Sequence, residues 1–110
     1  MKIENIVSEK DKLKLEAAIL EPKIKPKGII QISHGMSEHK ERYYEFMKYL
    51  SENGYICVIH DHRGHGASVK SKSDLGYFYT EDINYIIEDL YQVTKYVKEK
   101  YPNLKINLFA

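Results

Sequence analysis

The sequence predicts an α/β protein, with a mostly parallel sheet, crossover helices on both faces, and an antiparallel strand pair in front. Three observations carry that prediction. Residues 28–33 (G-I-I-Q-I-S), 55–60 (Y-I-C-V-I-H) and 105–110 (K-I-N-L-F-A) are compact runs of strand length without clear alternation, as strands covered on both faces are. Two stretches between them place apolar residues at helical spacing, and two short runs joined by a polar turn come first. A strand, helix, strand, helix, strand order closes into a parallel sheet through right-handed crossovers.

Each element has a local reason. Residues 3–8 and 12–20 are separated by the polar E-K-D, and Leu13, Leu15, Ala17 and Ile19 alternate, which predicts an antiparallel pair at a sheet edge. Pro22 and Pro26, set among lysines, interrupt regular structure before the first parallel strand at 28–33. Tyr43, Phe46, Met47 and Leu50 then mark a helix that Asn53-Gly54 stops. The strand at 55–60 follows. After a glycine-rich loop, Thr80 is expected to cap a helix with Glu81 and Asp82 in its first turn. Its apolar stripe would comprise Ile83, Ile86, Ile87, Leu90, Val93 and Val97, and it would end by Pro102. The run at 105–110 is expected to be a third, buried parallel strand.

Composition narrows the function. The chain has 110 residues, enough for one domain or part of one, and 43% of them are hydrophobic. Its 17 basic and 16 acidic side chains leave a formal charge of +1, so no basic field is available to hold nucleic acid. Cys57 is the sole cysteine, sits in an apolar run and is expected to be a small buried hydrophobe. The first ten residues lack an apolar signal core and no stretch nears the roughly 20 apolar residues of a membrane span. A cytoplasmic protein is expected.

In parallel sheets ligands bind beyond the carboxyl ends of the strands, so the loops after residues 33 and 60 hold the candidate chemistry. The first reads H-G-M-S-E-H, residues 34–39. A glycine there lets the backbone turn sharply and frees the following amide, that of Met36, to face a ligand. Such an N–H can stabilise the oxyanion of an acyl-transfer intermediate, and losing a comparable donor costs about 10²–10³ in rate. A plain strand-ending turn is the alternative. The second loop reads D-H-R-G-H-G-A-S, residues 61–68, and could be a self-satisfied polar turn in which Asp61 accepts backbone N–H groups and Arg63 bridges loops. Alternatively, His60, His62 and His65 have the H-x-H-x-x-H spacing of a zinc hydrolase, although Gly64 stands where that pattern has an aspartate. No G-x-S-x-G nucleophile elbow is present: His39 and Lys70 replace its last glycine around Ser37 and Ser68, which are therefore read as loop serines.

Taken in order, H-G-M-S-E-H-K-E-R-Y (34–43), D-H-R-G-H-G-A-S (61–68) and Y-P-N-L-K-I-N-L-F-A (101–110) resemble the N-terminal portion of an α/β-hydrolase. Among those, they closely resemble the monoacylglycerol lipase and lysophospholipase group. The resemblance implies a single domain of which residues 1–110 are the N-terminal part, ending before the elbow, with serine, acid and histidine base all beyond Ala110. It further implies that His34, Gly35 and Met36 form the oxyanion loop, that Glu38 and Arg42 lie near the alcohol end of the substrate, and that Asp61, Arg63, Gly64 and Gly66 brace the loop. Glu38 and Arg42 are also spaced for an ordinary i,i+4 ion pair. The implied activity is carboxylic ester hydrolysis through a serine acyl-enzyme, on a long-chain lipid ester, with no metal or organic cofactor. Peripheral membrane contact would come through a lid that these residues lack, and the 110 residues alone are expected to be inactive. A zinc-dependent hydrolase and a non-catalytic oligomerising module are the alternatives.

Overall fold

The computed structural model describes residues 1–110. It contains five strands, β1 (Lys2–Val7), β2 (Lys14–Leu20), β3 (Gly28–Ile32), β4 (Tyr55–His60) and β5 (Ile106–Phe109), and two α-helices, α1 (Tyr44–Glu52) and α2 (Asn84–Lys100). One sheet holds all five strands in the order β1-β2-β4-β3-β5. The expected antiparallel pair is present, with Ile6 opposite Leu15, and β2 continues antiparallel onto β4 with Ala17 opposite His60. β3 runs parallel to both β4 and β5, with Ile30 opposite Cys57 on one side and Asn107 on the other.

The two-residue period of the strands sorts side chains between two cores. Ala17, Ile19, Ile29, Ile56 and Val58 pack with Val93 and Val97 of α2 on one face. Ala18, Ile32, Cys57 and Ile59 pack with Met47 of α1 on the other. Cys57 is buried among apolar neighbours, which pushes its thiol up to about 11 and leaves it unreactive. A single 3-10 turn, Lys40–Tyr43, leads into α1, and Gly54 leaves it at φ +94°, in the left-handed region that a glycine tolerates.

Two expectations are corrected. α2 begins at Asn84, with Ile83 at its cap position, rather than at Thr80. The reason is local: Thr80 Oγ1 accepts the Asp82 N–H (3.0 Å) and Asp82 Oδ1 accepts the Asn84 N–H (3.0 Å), two short side-chain turns that compete with helix. Of the expected stripe, Val93 and Val97 are buried and Ile86 and Leu90 half-buried, but Ile83 and Ile87 are exposed, and Asp89 is buried with the valines. The last run forms β5, but as a sheet edge paired only with β3, so Leu108 and Phe109 remain 57% and 46% exposed. Within residues 1–110 it is an edge strand.

Because β3, β4 and β5 are parallel, their carboxyl ends emerge on one side of the sheet. The Ser33 N–H donates to Phe109 O (2.8 Å), and the Asp61 N–H to Glu16 O (2.9 Å), so both candidate loops leave the sheet from fixed points.

Candidate functional site

Residues 34–39 and 61–68 lie side by side, joined by hydrogen bonds in which histidines are the usual acceptors. The His62 N–H donates to His34 Nε2 (3.0 Å) and the Ser37 N–H to His65 Nε2 (3.3 Å). The remaining ring nitrogens point at carbonyls, His34 Nδ1 at Gly35 O (2.7 Å) and His65 Nδ1 at Arg63 O (3.1 Å). Those contacts require an N–H on Nδ1 and a lone pair on Nε2 in both rings. His62 Nε2 faces His34 O (3.1 Å) and Ser33 Oγ (3.1 Å).

Of the amides of residues 35–38, all but one are occupied. The Gly35 N–H donates to Glu38 Oε1 (2.6 Å), the Ser37 N–H goes to His65, and the Glu38 N–H donates to Gly35 O (3.2 Å). The Met36 N–H makes no hydrogen bond, and its residue is 66% exposed. The Met36 N–H is therefore a backbone donor available to a carbonyl or anionic oxygen. Glu38 also accepts from Tyr43 Oη (2.9 Å) and pairs with Arg42 Nε at 3.4 Å. Its carboxyl is held below its ordinary value, first by the Gly35 N–H and then by Tyr43. Arg42 itself is exposed. Ser37, Glu38, His39, Gly64, His65 and Gly66 line a cavity of about 420 Å³ between the loops.

The second loop is built around two buried charges. Asp61 accepts the Lys40 N–H (2.7 Å), Lys40 Nζ (2.9 Å) and the Ala67 N–H (3.1 Å). Gly66 passes so close that a Cβ there would overlap the Asp61 carboxylate, and at φ +51° it is left-handed. Arg63 grips two carboxylates at once: Nε and Nη2 reach Asp89 (2.7 and 3.2 Å), and Nη1 and Nη2 reach Asp11 (2.8 and 3.1 Å). Nη1 also donates to Phe78 O and Nη2 to Ser8 Oγ, so the whole guanidinium fork is in use. The Arg63 hydrogen bonds in turn hold the Asp11 carboxyl below its ordinary range. Ser68 Oγ donates to Asp61 O (2.7 Å) and accepts the Glu16 N–H (3.0 Å), which makes it a brace within the loop.

The zinc spacing does not become a zinc geometry. His60, His62 and His65 do not bring three donor atoms together; the one converging set of potential ligands is Glu16, Glu41 and Asp61, and Lys40 Nζ lies among them at 2.5, 2.9 and 2.9 Å. His60 is fully buried with neither ring nitrogen bonded, and burial pushes it down to about 3. His62 is pushed down to about 4 for the same first reason.

Sequence reasoning missed Lys40, Glu16, Asp11 and Asp89. Asp89 had a readable signal: it interrupts the apolar face of α2 three residues after Ile86 and four before Val93, where a charge needs a buried partner. Lys40, in the polar run H-K-E-R, had none.

Comparison with known proteins agrees with this architecture. The human monoglyceride lipase is 31% identical over 85 residues, which is 77% of this chain and 26% of that protein. A monoglyceride lipase homolog of Monkeypox virus is 33% identical over 85 residues, 77% of this chain and 29% of that one. The chain thus spans between a quarter and a third of the length of these relatives. Among solved structures, a thermostable carboxyl esterase from Bacillus coagulans in complex with glycerol superposes with a TM-score of 0.90 at 30% identity, covering 99% of this chain and 35% of that one. A soluble variant of the Saccharomyces cerevisiae monoglyceride lipase shares the fold, with a TM-score of 0.74 at 24% identity over 97% of this chain and 33% of its own. No helix is long and apolar enough to cross a membrane. Residues 24–110 match the family described as serine aminopeptidase, S33. With the strand order and the two loops in place, the chain belongs to that family of α/β-hydrolases.

Proposed function

We propose that residues 1–110 supply the N-terminal part of a single α/β-hydrolase domain that cleaves carboxylic esters through a serine acyl-enzyme. In this reading the Met36 N–H is one donor of the oxyanion hole and His34-Gly35 shape the turn that presents it. The observation that carries the reading is the Met36 N–H itself, the one amide of residues 35–38 without an acceptor, at the carboxyl end of a central parallel strand. A donor already fixed in place stabilises negative charge without reorganising during reaction. Glu38 and Arg42 would face the alcohol portion of the ester, and Asp61, Arg63, Gly64 and Gly66 would brace the oxyanion loop from behind.

The substrate class proposed is monoacylglycerol, lysophospholipid or a similar long-chain ester, supported by relatives named monoglyceride lipase. Nucleophile, acid and base are absent from these residues, so the 110-residue chain by itself should neither hydrolyse esters nor form an acyl-enzyme. The working site is proposed to be cytoplasmic and to need no metal or organic cofactor.

The test is a chimera that joins residues 1–110 to the remainder of the human monoglyceride lipase at the matching position. It is expected to label with a fluorophosphonate probe and to hydrolyse a monoacylglycerol, whereas the 110 residues alone do neither. Met36→Pro deletes the N–H and should lower kcat by about 10²–10³ while probe labelling persists. Unchanged turnover in that variant overturns the oxyanion role, and labelling without ester hydrolysis overturns the substrate class.

A further inference from the structure

The seam between the two loops is made of neutral imidazoles. His34 Nε2 and His65 Nε2 each accept a backbone N–H from the opposite loop, at 3.0 and 3.3 Å, and all of His34, His62 and His65 are buried. Ser37, which His65 holds, is a non-glycine residue at φ +63°, a left-handed backbone that persists only while its surroundings enforce it. We propose that His34 and His65 form a proton-sensitive latch: protonation of either Nε2 replaces an acceptor with a donor facing an N–H, breaks that bond, and releases residues 34–39 from residues 61–68.

The chemistry is specific to these two atoms. In each ring Nδ1–H already donates to a carbonyl, so the added proton can only go to Nε2. That proton turns an attractive N–H···N contact into two opposed donors 3.0 or 3.3 Å apart. The two rings lie 5.3 Å apart, so charge on one discourages charge on the other, and each ring also sees His62, at 4.4 Å from His34 and 6.3 Å from His65. Asp61 and Glu38 face His34 and favour its protonation, which burial opposes more strongly. Around His65 stand Glu38 and His39 across the cavity and the stacked ring of Phe78 at 5.8 Å. Opening the latch would free Ser37 from its enforced backbone and reshape the cavity that Ser37, Glu38 and His65 share.

The bearing of the latch on the Met36 N–H rests on the proposed function; the latch itself does not. It is tested without ester turnover, by nitrogen-15 NMR of the 110-residue chain between pH 7.5 and 4.5. The latch requires the Nδ1–H tautomer in His34 and His65 at pH 7.5. Exchange of the Ser37 amide, corrected for its intrinsic pH dependence, should speed up on the order of tenfold between pH 7.5 and 4.5, while Val58 in central β4 stays protected. His65→Gln keeps an acceptor that does not titrate, and should reduce the Ser37 change to less than about twofold. An Nε2–H tautomer in either ring of the wild-type chain overturns the proposal even if the variant does not fold. So does a Ser37 amide that loses protection only together with Val58, or one that titrates identically in His65→Gln.

Discussion

Arg63 Nε lies 2.7 Å from Asp89 Oδ2, and both side chains are sealed from solvent although 26 residues separate them. This pair fastens the loop after β4 to the middle of α2 and decides which face of the helix turns inward. Since removing one partner strands a buried charge, Arg63→Ala should cost about 3–5 kcal/mol, a large share of the roughly 5–15 kcal/mol that holds a domain folded. Arg63→Lys should recover little, because an ammonium cannot span Asp89 and Asp11 as the guanidinium fork does. Urea unfolding checks both; a loss below about 1 kcal/mol for the alanine variant would show that the pair is dispensable.

Lys40 is the second buried charge, with Nζ at 2.5 Å from Glu16, 2.9 Å from Glu41 and 2.9 Å from Asp61. Burial opposes its charge, but the hydrogen bonds it donates to Glu16, Glu41 and Asp61 outweigh burial and raise its pKa. A raised lysine contributes stability that is complete below its ordinary value of 10.5 and disappears as pH climbs through the folded value. Lys40→Met should therefore destabilise by about 3 kcal/mol at pH 7, and that difference should be flat between pH 6 and 9. Lys40→Met combined with Asp61→Asn should be less destabilising than the sum of the two single changes. Additive losses would mean that the two side chains do not act as a pair.

Much of this arrangement was legible in sequence, and what was not has a physical explanation. Apolar runs such as 55–60 identify β4 because burial on both faces leaves no polar position to confuse the reading. The helix at 44–52 is equally plain, since Met47, Leu50 and Gly54 fall where packing and a left-handed stop require them. The start of α2 was misread because Thr80 and Asp82 are good caps and equally good turn formers, and here their side chains form short turns ahead of the helix. Exposure of β5 depends on whether another strand lies beside it, which no local pattern records. For the site, Met36 was reachable because a glycine after a strand end announces a freed amide. Lys40 was not, because a lysine buried among three carboxylates looks in sequence like any solvated one.

Gly64 and Gly76 form a natural comparison. Both are left-handed, at φ +75° and +88°, but a Cβ on Gly64 would meet Tyr77 O at 2.5 Å while one on Gly76 would meet nothing within 4 Å. Gly76→Ala should thus cost only the backbone term, about 1 kcal/mol. Gly64→Ala adds a clash with a carbonyl that cannot swing away and should cost at least about 2 kcal/mol more. Thermal unfolding of the two variants checks the difference; equal losses would imply that the 72–80 segment yields freely.

His60 gives the final prediction its sign. Its ring is fully buried, neither nitrogen has a partner, and burial lowers its pKa from 6.5 to about 3. Above pH 6.5 neither the folded nor the unfolded chain holds the extra proton, and stability does not depend on it. Between pH 6.5 and about 3 the unfolded chain binds a proton that the folded chain refuses, so stability falls with pH by about 1.4 kcal/mol per unit. His62, lowered to about 4, and His34, which burial also lowers, steepen the same limb. Replacing His60 with leucine removes one of these protons and also an imidazole whose polar atoms are unsatisfied. His60→Leu should therefore be at least as stable as the wild type at pH 7.5, and its unfolding free energy should fall less steeply than the wild type's between pH 6 and 4.5. Parallel curves for the two proteins would show that His60 is charged or solvated in the folded state, and the buried, neutral ring would have to be abandoned.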